Sequence, residues 1–266
     1  MNIKLYDFIV NKLRPPELGL FMKWILRIKR VPHTLPNGKM LFIDPVSDFG
    51  LKILKNESYE SEMTEQITSI LKPGDAFIDL GSNEGYFSII ASGLVGQSGK
   101  VIAIEPQERL WSVIINNSIL NNCANLQILP YGISSAPGEA TMMLYSDFNT
   151  GASSLSPNFN FYISLISIRK KFYKRQKIHT RTLDGLKASL PNRVKLIKID
   201  IEGFEYEALK GSENLLKDHV FENLLVEIHR KSLESMGQKE SDVFDLLSKF
   251  GYQKRQITSI LYLFSC

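Results

Sequence analysis

From Asp75 onward the chain alternates short apolar runs with amphipathic stretches. Ala76–Leu80, Lys100–Glu105, Leu126–Tyr131, Lys195–Asp200 and Asn223–Ile228 have the length and side chains of strands. Between most of them, apolar residues recur three and four apart, as in Gln107–Leu120 and Glu205–Leu216, which predicts helices. Such alternation predicts a parallel sheet covered on both faces and wound right-handed. A helix around Val243, Leu247 and Phe250 stops at Gly251, and two β-like runs follow almost directly, Tyr252–Ile257 and Ile260–Phe264. A link that short admits only an antiparallel pair. The expected core is therefore an α/β sheet of seven strands, mostly parallel, with an antiparallel C-terminal strand.

The earlier part is patterned differently. Residues 36–56 read as a hairpin-like stretch turning at Asn37-Gly38, and Met63, Ile67, Ile70 and Leu71 then mark a helix that Lys72-Pro73-Gly74 stops. Residues 1–35 read as a helical appendage to a domain over 36–266, punctuated by Pro15-Pro16. Its second half places Lys23, Arg27 and Arg30 on one helical stripe and Phe21, Ile25 and Ile28 on the other, with Trp24 nearby. Docking of the apolar stripe on the core is the favoured reading, and peripheral contact with a membrane surface is the other. Residues 146–179 lose the regular pattern and mix aromatics with basic residues. They read as an insertion, either a substrate cap over the strand ends or a surface excursion.

Composition narrows the setting. The two cysteines, Cys123 and Cys266, make no disulfide framework, and a reducing, cytoplasmic location is expected. The start lacks the apolar core of a signal peptide. Leu18–Ile28 is interrupted by Lys23 and Arg27 and falls short of the roughly 20 residues of a membrane span. The net charge of +4 is modest, with clusters at Lys23–Arg30 and Arg169–Lys177. Such clusters suit phosphates, anionic lipid or an anionic substrate, although solvated faces are the commoner explanation.

The chemistry gathers at strand ends. The first strand runs into Asp79-Leu80-Gly81-Ser82-Asn83-Glu84-Gly85-Tyr86, a glycine-bearing turn that opens a helix. A dinucleotide loop would carry a glycine where Asn83 stands, to clear a pyrophosphate; a side chain there is acceptable beside a methionine moiety. The second strand ends in Glu105-Pro106, placing a carboxylate where it can accept both ribose hydroxyls and disfavour a 2′-phosphate. S-adenosylmethionine is thus the expected cofactor. Asp79 is expected to hold its amino group, directly or through water, and Gly132 and Ile133 to lie near the adenine.

The fourth strand ends in Asp200-Ile201-Glu202-Gly203, and the fifth carries Glu227 and His229, which two-residue spacing puts on one face. Methyl transfer to a neutral hydroxyl needs alignment and removal of a proton. Asp200 and His229 are candidates for base or orienter, with Glu202 and Glu227 on the same rim. The alternative for Glu227 and His229 is a purely structural tie at the strand end. A divalent metal on these carboxylates is the less favoured reading.

Taken in order, these segments resemble the FkbM family of methyltransferases. The correspondence runs through Asp79–Ser88, Ala103–Pro106, Thr182-Leu183-Asp184, Ile197–Glu205 and Val226–His229, with Tyr59-Glu60 upstream. It implies a Rossmann-like class I methyltransferase fold and O-methylation of a hydroxyl on a sugar, glycan or secondary metabolite. It also carries cofactor binding onto Asp79, Gly81, Asn83, Gly85 and Glu105, and a catalytic rim onto Asp200 and Glu202. Ser82, Glu84 and Gln107 depart from the family's usual residues. Two other classes stay open: a nucleic-acid methyltransferase using the basic clusters, which is not favoured, and a non-catalytic binding protein on the same fold.

Overall fold

The computed structural model describes residues 2–13, 16–55, 59–144 and 174–266. Its central sheet has seven strands: β3 (Ala76–Leu80), β4 (Lys100–Ile104), β5 (Leu126–Leu129), β9 (Leu196–Ile199), β10 (Asn223–Glu227), β11 (Gln253–Gln256) and β12 (Leu261–Ser265). They lie in the order β11-β12-β10-β9-β3-β4-β5. All neighbours pair in parallel except β12, which runs antiparallel to both β10 and β11. This is the Rossmann-like class I methyltransferase arrangement that the pattern predicts.

β3, β4, β9, β10 and β12 are buried on both faces, which explains their continuous apolar runs. Ile78, Leu80, Ile102, Ile197 and Leu224 face one core cluster, and Phe77, Val101, Leu196 and Leu225 face the other. Because β3 sits between β4 and β9, the chain leaves in opposite directions from adjacent strands, and a crevice opens at their carboxyl ends. The Gly81–Gly85 turn, Glu105 and the Asp200–Gly203 turn all border that crevice.

Four local features differ from expectation. The hairpin forms from β1 (Val31–Thr34) and β2 (Met40–Ile43), so it straddles residue 35, and Asp48–Leu54 is a helix capped by the Ser47 hydroxyl. The expected helix over Glu205–Leu216 is two helices, Glu205–Lys210 and Glu213–Lys217. At the break, Asp184 accepts from the backbone N–H of Asn214 and Leu215, which gives Thr182-Leu183-Asp184 a capping role. The third strand stops at Leu129, and Gly132-Ile133 (β6) joins β7 (Gly138–Leu144) and β8 (Lys174–Arg181) in a separate three-stranded sheet. Residues 146–173 of the expected insertion lie outside the described residues, and 174–179 belong to β8.

The hairpin packs against the helix Glu108–Leu120. Asn117 and Asn121 on the helix Glu108–Leu120 serve as surrogate strand partners for β2: Asn117 accepts from Phe42 N–H at 2.6 Å, and Asn121 bridges the N–H and carbonyl of Met40. Among the described residues, no helix is long and apolar enough to cross a membrane.

Arg30 reaches across to the Gly81–Gly85 turn. Its guanidinium donates to both oxygens of Glu84, at 2.6 and 2.8 Å, and to the Phe42 carbonyl. Glu84 is only 2% exposed. The unusual acid in the turn is thereby matched by a cation from the appendage. Arg30→Ala is expected to destabilise the fold by about 2–4 kcal/mol, because it strands a buried carboxylate. Urea unfolding measures this; Glu84→Gln in the Arg30→Ala background should recover part of the loss.

Candidate active site

The crevice is a partly open cleft. Its walls include Gly81, Ser82, Asn83 and Tyr86 from the first turn, Glu105 and Pro106 from the second, and Gly132 and Ile133 from the third. Tyr59 and Glu60 also line it, as do Asp200, Glu202, Glu227 and His229, which form a rim beyond the fourth and fifth parallel strands. Of the residues expected in the site, only Asp79 and Gly85 do not line it.

The turn after β3 needs its glycine. Gly81 has φ +75, and a Cβ there would overlap the carbonyl oxygen of Asp200, so the two catalytic-side turns touch backbone to backbone. Asn83 is held left-handed at φ +49, and its N–H donates to Glu105 Oε2 at 2.8 Å. Gln107 N–H donates to Glu105 Oε1 at 2.9 Å. Each carboxylate oxygen has a further lone pair to offer a ligand. Burial pushes the Glu105 carboxyl up to about 7, against the pull of those two N–H groups.

Asp79 is a correction. It is fully buried, accepts from the Ser88 hydroxyl at 2.6 Å and pairs with Lys198 at 3.2 Å. It therefore holds the first turn and Lys198 in place and does not face the cleft to take a ligand's amino group directly. Lys198 is the functional-site residue that pattern reading passed over. Register sets it beside Asp79, and its ammonium reaches Asp200 at 3.3 Å and the Gly81 carbonyl at 3.3 Å. Burial works against its charge, but Asp79, Asp200 and Glu60 outweigh that and hold the amine protonated. Its signal was a lysine inside the otherwise apolar run Leu196–Ile199.

On the rim, Glu202 sits at φ +55 and Gly203 at φ +105, a tight turn that returns the chain to the helix Glu205–Lys210. Glu205 is fully buried, accepts from Gly203 N–H at 2.9 Å and holds His229 Nδ1 at 2.9 Å. The imidazole Nε2 is thereby aimed at Glu202 (3.5 Å), Glu227 (3.7 Å) and Asp200 (3.9 Å). Burial disfavours the imidazolium, but the Glu205 bond and the charges of Glu202, Glu205 and Asp200 prevail and push it up to about 10. At neutral pH His229 is thus held as a cation. Burial pushes Glu202 up to about 7, and burial together with Asp200 raises Glu227. Asp200, Glu227 and His229 also offer ligand atoms within 4.8 Å of one another, a spacing a metal ion could use.

These shifts predict a pH dependence of stability. Glu105 and Glu202 keep their protons to a higher pH folded than unfolded, so each destabilises the fold progressively from about 4.5 to about 7. His229 has the same sign: its contribution is complete below 6.5 and is lost toward 10. Without ligand, Tm at pH 8 should be lower than at pH 5.5 by roughly 5–10 °C. A flat or rising Tm across that interval would contradict this picture.

The donor set suits S-adenosylmethionine. Besides the Arg30-paired Glu84, the cleft carries the carboxyls of Glu60, Glu105, Asp200, Glu202 and Glu227 and two side-chain cations, Lys198 and His229. A ligand carrying a sulfonium and an ammonium offsets that excess, whereas a pyrophosphate would add to it.

The chain is similar to several methyltransferases. Methyltransferase sdnD of Sordaria araneosa is 29% identical over 160 residues, covering 52% of this chain and 61% of that protein. Hexuronic acid methyltransferase AglP of Haloferax volcanii is 27% identical over 192 residues, covering 71% of this chain and 68% of that one. The crystal structure of Methyltransferase FkbM from Methylobacillus flagellatus aligns with a TM-score of 0.47 and 15% identity, covering all of this chain and 59% of that one. The chain thus spans less than two thirds of two of these three. The Methyltransferase FkbM domain itself matches residues 79–254, the stretch that holds both turns, Glu105, Asp200 and His229. The chain belongs to the FkbM methyltransferase domain family.

Proposed function

We propose that the protein is an S-adenosylmethionine-dependent O-methyltransferase acting on a hydroxyl of a sugar, glycan or secondary metabolite. The observation that carries this reading is a single cleft with the buried Glu105 carboxyl at one end and the Asp200 rim at the other. Gly81, Ser82 and Asn83 would hold the amino-acid portion of the cofactor, Glu105 its ribose, and Pro106, Gly132 and Ile133 its base. Tyr59, Glu60 and Tyr86 would close over it. When bound, S-adenosylmethionine supplies an electrophilic methyl group on sulfur.

Asp200 would take the proton of the acceptor hydroxyl, a contribution of roughly 10²–10⁴-fold. Lys198 fixes the Asp200 carboxylate from behind at 3.3 Å. His229, fixed by Glu205, holds Glu202 and Glu227 together and orients the acceptor. A uronic acid presents hydroxyls and a carboxylate; the acidic rim would repel the carboxylate, which favours a hydroxyl as nucleophile. The same rim would repel nucleic-acid phosphates. A metal on Asp200, Glu227 and His229 is a second reading, favoured by their spacing alone.

The test is incubation with methyl-labelled S-adenosylmethionine and a panel of uronic acids, neutral sugars and hydroxylated metabolites, with and without chelator. Label appearing as an alkali-stable ether supports the proposal. An alkali-labile ester as the sole product would assign the acceptor as a carboxylate, and loss with chelator would establish the metal.

A further inference from the structure

The helix Pro16–Ile25 is docked with its polarity reversed. Its contacts to the body come from Leu20 and Met22, with Ile28 just beyond, against Ile9, Val10, Val46 and Leu51. Lys23 also turns inward, to an ion pair with the buried Asp44. The apolar stripe of Leu18, Phe21, Trp24 and Ile25 faces out, from 46% exposed at Leu18 to 75% at Trp24. The Phe21 and Trp24 rings stack at 6.1 Å, and Phe8 and Leu26 extend the exposed apolar surface. Of the expected apolar stripe only Ile28 packs on the body, while Phe21 and Ile25 face out with Trp24; the Lys23–Asp44 ion pair and a different apolar edge, Leu20 and Met22, hold the helix instead.

Charge identifies what the stripe meets. Residues 2–30 hold seven Lys and Arg against two acids, more than the whole net charge of +4. Lys23 and Arg30 are spent on Asp44 and Glu84, but Arg27 and Lys29 are exposed at the end of the stripe and make no ion pair among the described residues. Within residues 2–30 a second copy would offer these cations only Asp7 and Glu17, and Asp7 is already paired with Lys55. An aromatic stripe flanked by uncompensated cations is instead the pattern of a helix lying in a lipid headgroup region.

We infer that the exposed face of the helix Pro16–Ile25, with Arg27 and Lys29, is a peripheral docking site for an anionic lipid bilayer. Leu18, Phe21, Trp24 and Ile25 enter the headgroup boundary, and Arg27 and Lys29 meet lipid phosphates. Arg30, bonded to Glu84 in the cofactor turn, links this segment directly to the cleft.

The experiment is flotation of the full chain with phosphatidylcholine vesicles, with and without phosphatidylglycerol, while tryptophan emission is recorded. The expected result is binding to the anionic vesicles that weakens with salt, together with a blue shift of the emission. Phe21→Ser with Trp24→Ser, and separately Arg27→Glu with Lys29→Glu, should each weaken partitioning by about tenfold or more, with thermal unfolding unchanged. Trp24→Ser alone should abolish the blue shift, since Trp111 lies at the cofactor side with its indole bonded to the Glu105 carbonyl. Binding that ignores lipid charge would overturn the inference. So would absence of vesicle binding, whether with a dimer that Phe21→Ser and Trp24→Ser dissolve, or with Trp24 already shielded in the free protein by the chain's own residues 146–173.

Discussion

Asp200→Asn is expected to lower the rate of methyl transfer by about 10²–10⁴-fold while leaving S-adenosylmethionine affinity within severalfold. Asparagine keeps the shape at the end of β9 but loses the capacity to take a proton, together with the charge that pairs with Lys198. Asp200 is the rim carboxylate held by Lys198, whereas Glu202 and Glu227 are pushed toward their protonated forms by burial. His229 is already protonated, so His229→Gln should act differently: it should shift the pH profile set by Glu202 and Glu227 without matching the loss at Asp200. Single-turnover rates with saturating cofactor, measured from pH 6 to 9, separate the two. An Asp200→Asn enzyme that turned over at the wild-type rate would end the assignment of Asp200 as base.

Glu105→Ala is expected to weaken cofactor binding by about 30- to 700-fold, the equivalent of roughly 2–4 kcal/mol for hydrogen bonds to a charged group. The carboxyl also organises the apo cleft, because it takes the N–H groups of Asn83 and Gln107. Its removal therefore loosens the first turn as well as deleting the ribose contact. Since burial holds Glu105 near 7, wild-type affinity should fall as pH drops below that value, by up to tenfold per unit. Isothermal titration at several pH values checks both points, and Glu105→Ala should lose the pH dependence along with the affinity.

The parallel core was legible because strands buried on both faces write themselves as unbroken apolar runs, and the short link after Gln256 forces β12 to reverse. Gly81, Glu105 and Asp200 were legible for the related reason that each stands where such a run stops. Other features depend on contacts far apart in sequence. Glu205 reads as an ordinary acid in a helix's first turn, yet it is the buried anchor of His229. Asp79 looks like a ligand-facing acid until Lys198 arrives beside it from a strand more than a hundred residues later. β8 was hidden because Lys174–Arg181 is dense in cations, with burial confined to Ile178 and Thr180 among its described side chains. The helix Pro16–Ile25 has a clear amphipathic pattern, but the pattern does not say which face the body takes. The Lys23–Asp44 ion pair and the packing of Leu20 and Met22 decide that.

The measurement that tests the central claim most directly is a thermal-shift titration with S-adenosylmethionine, S-adenosylhomocysteine and NAD, on wild type and Glu105→Ala. A ligand at 100 times its dissociation constant adds about 2.7 kcal/mol, a Tm rise of roughly 5–10 °C for a chain near this size. The account predicts that rise with both adenosyl ligands, none with NAD, and loss of the rise in Glu105→Ala. A rise with NAD alone, or an equal rise in the Glu105→Ala protein, would contradict it.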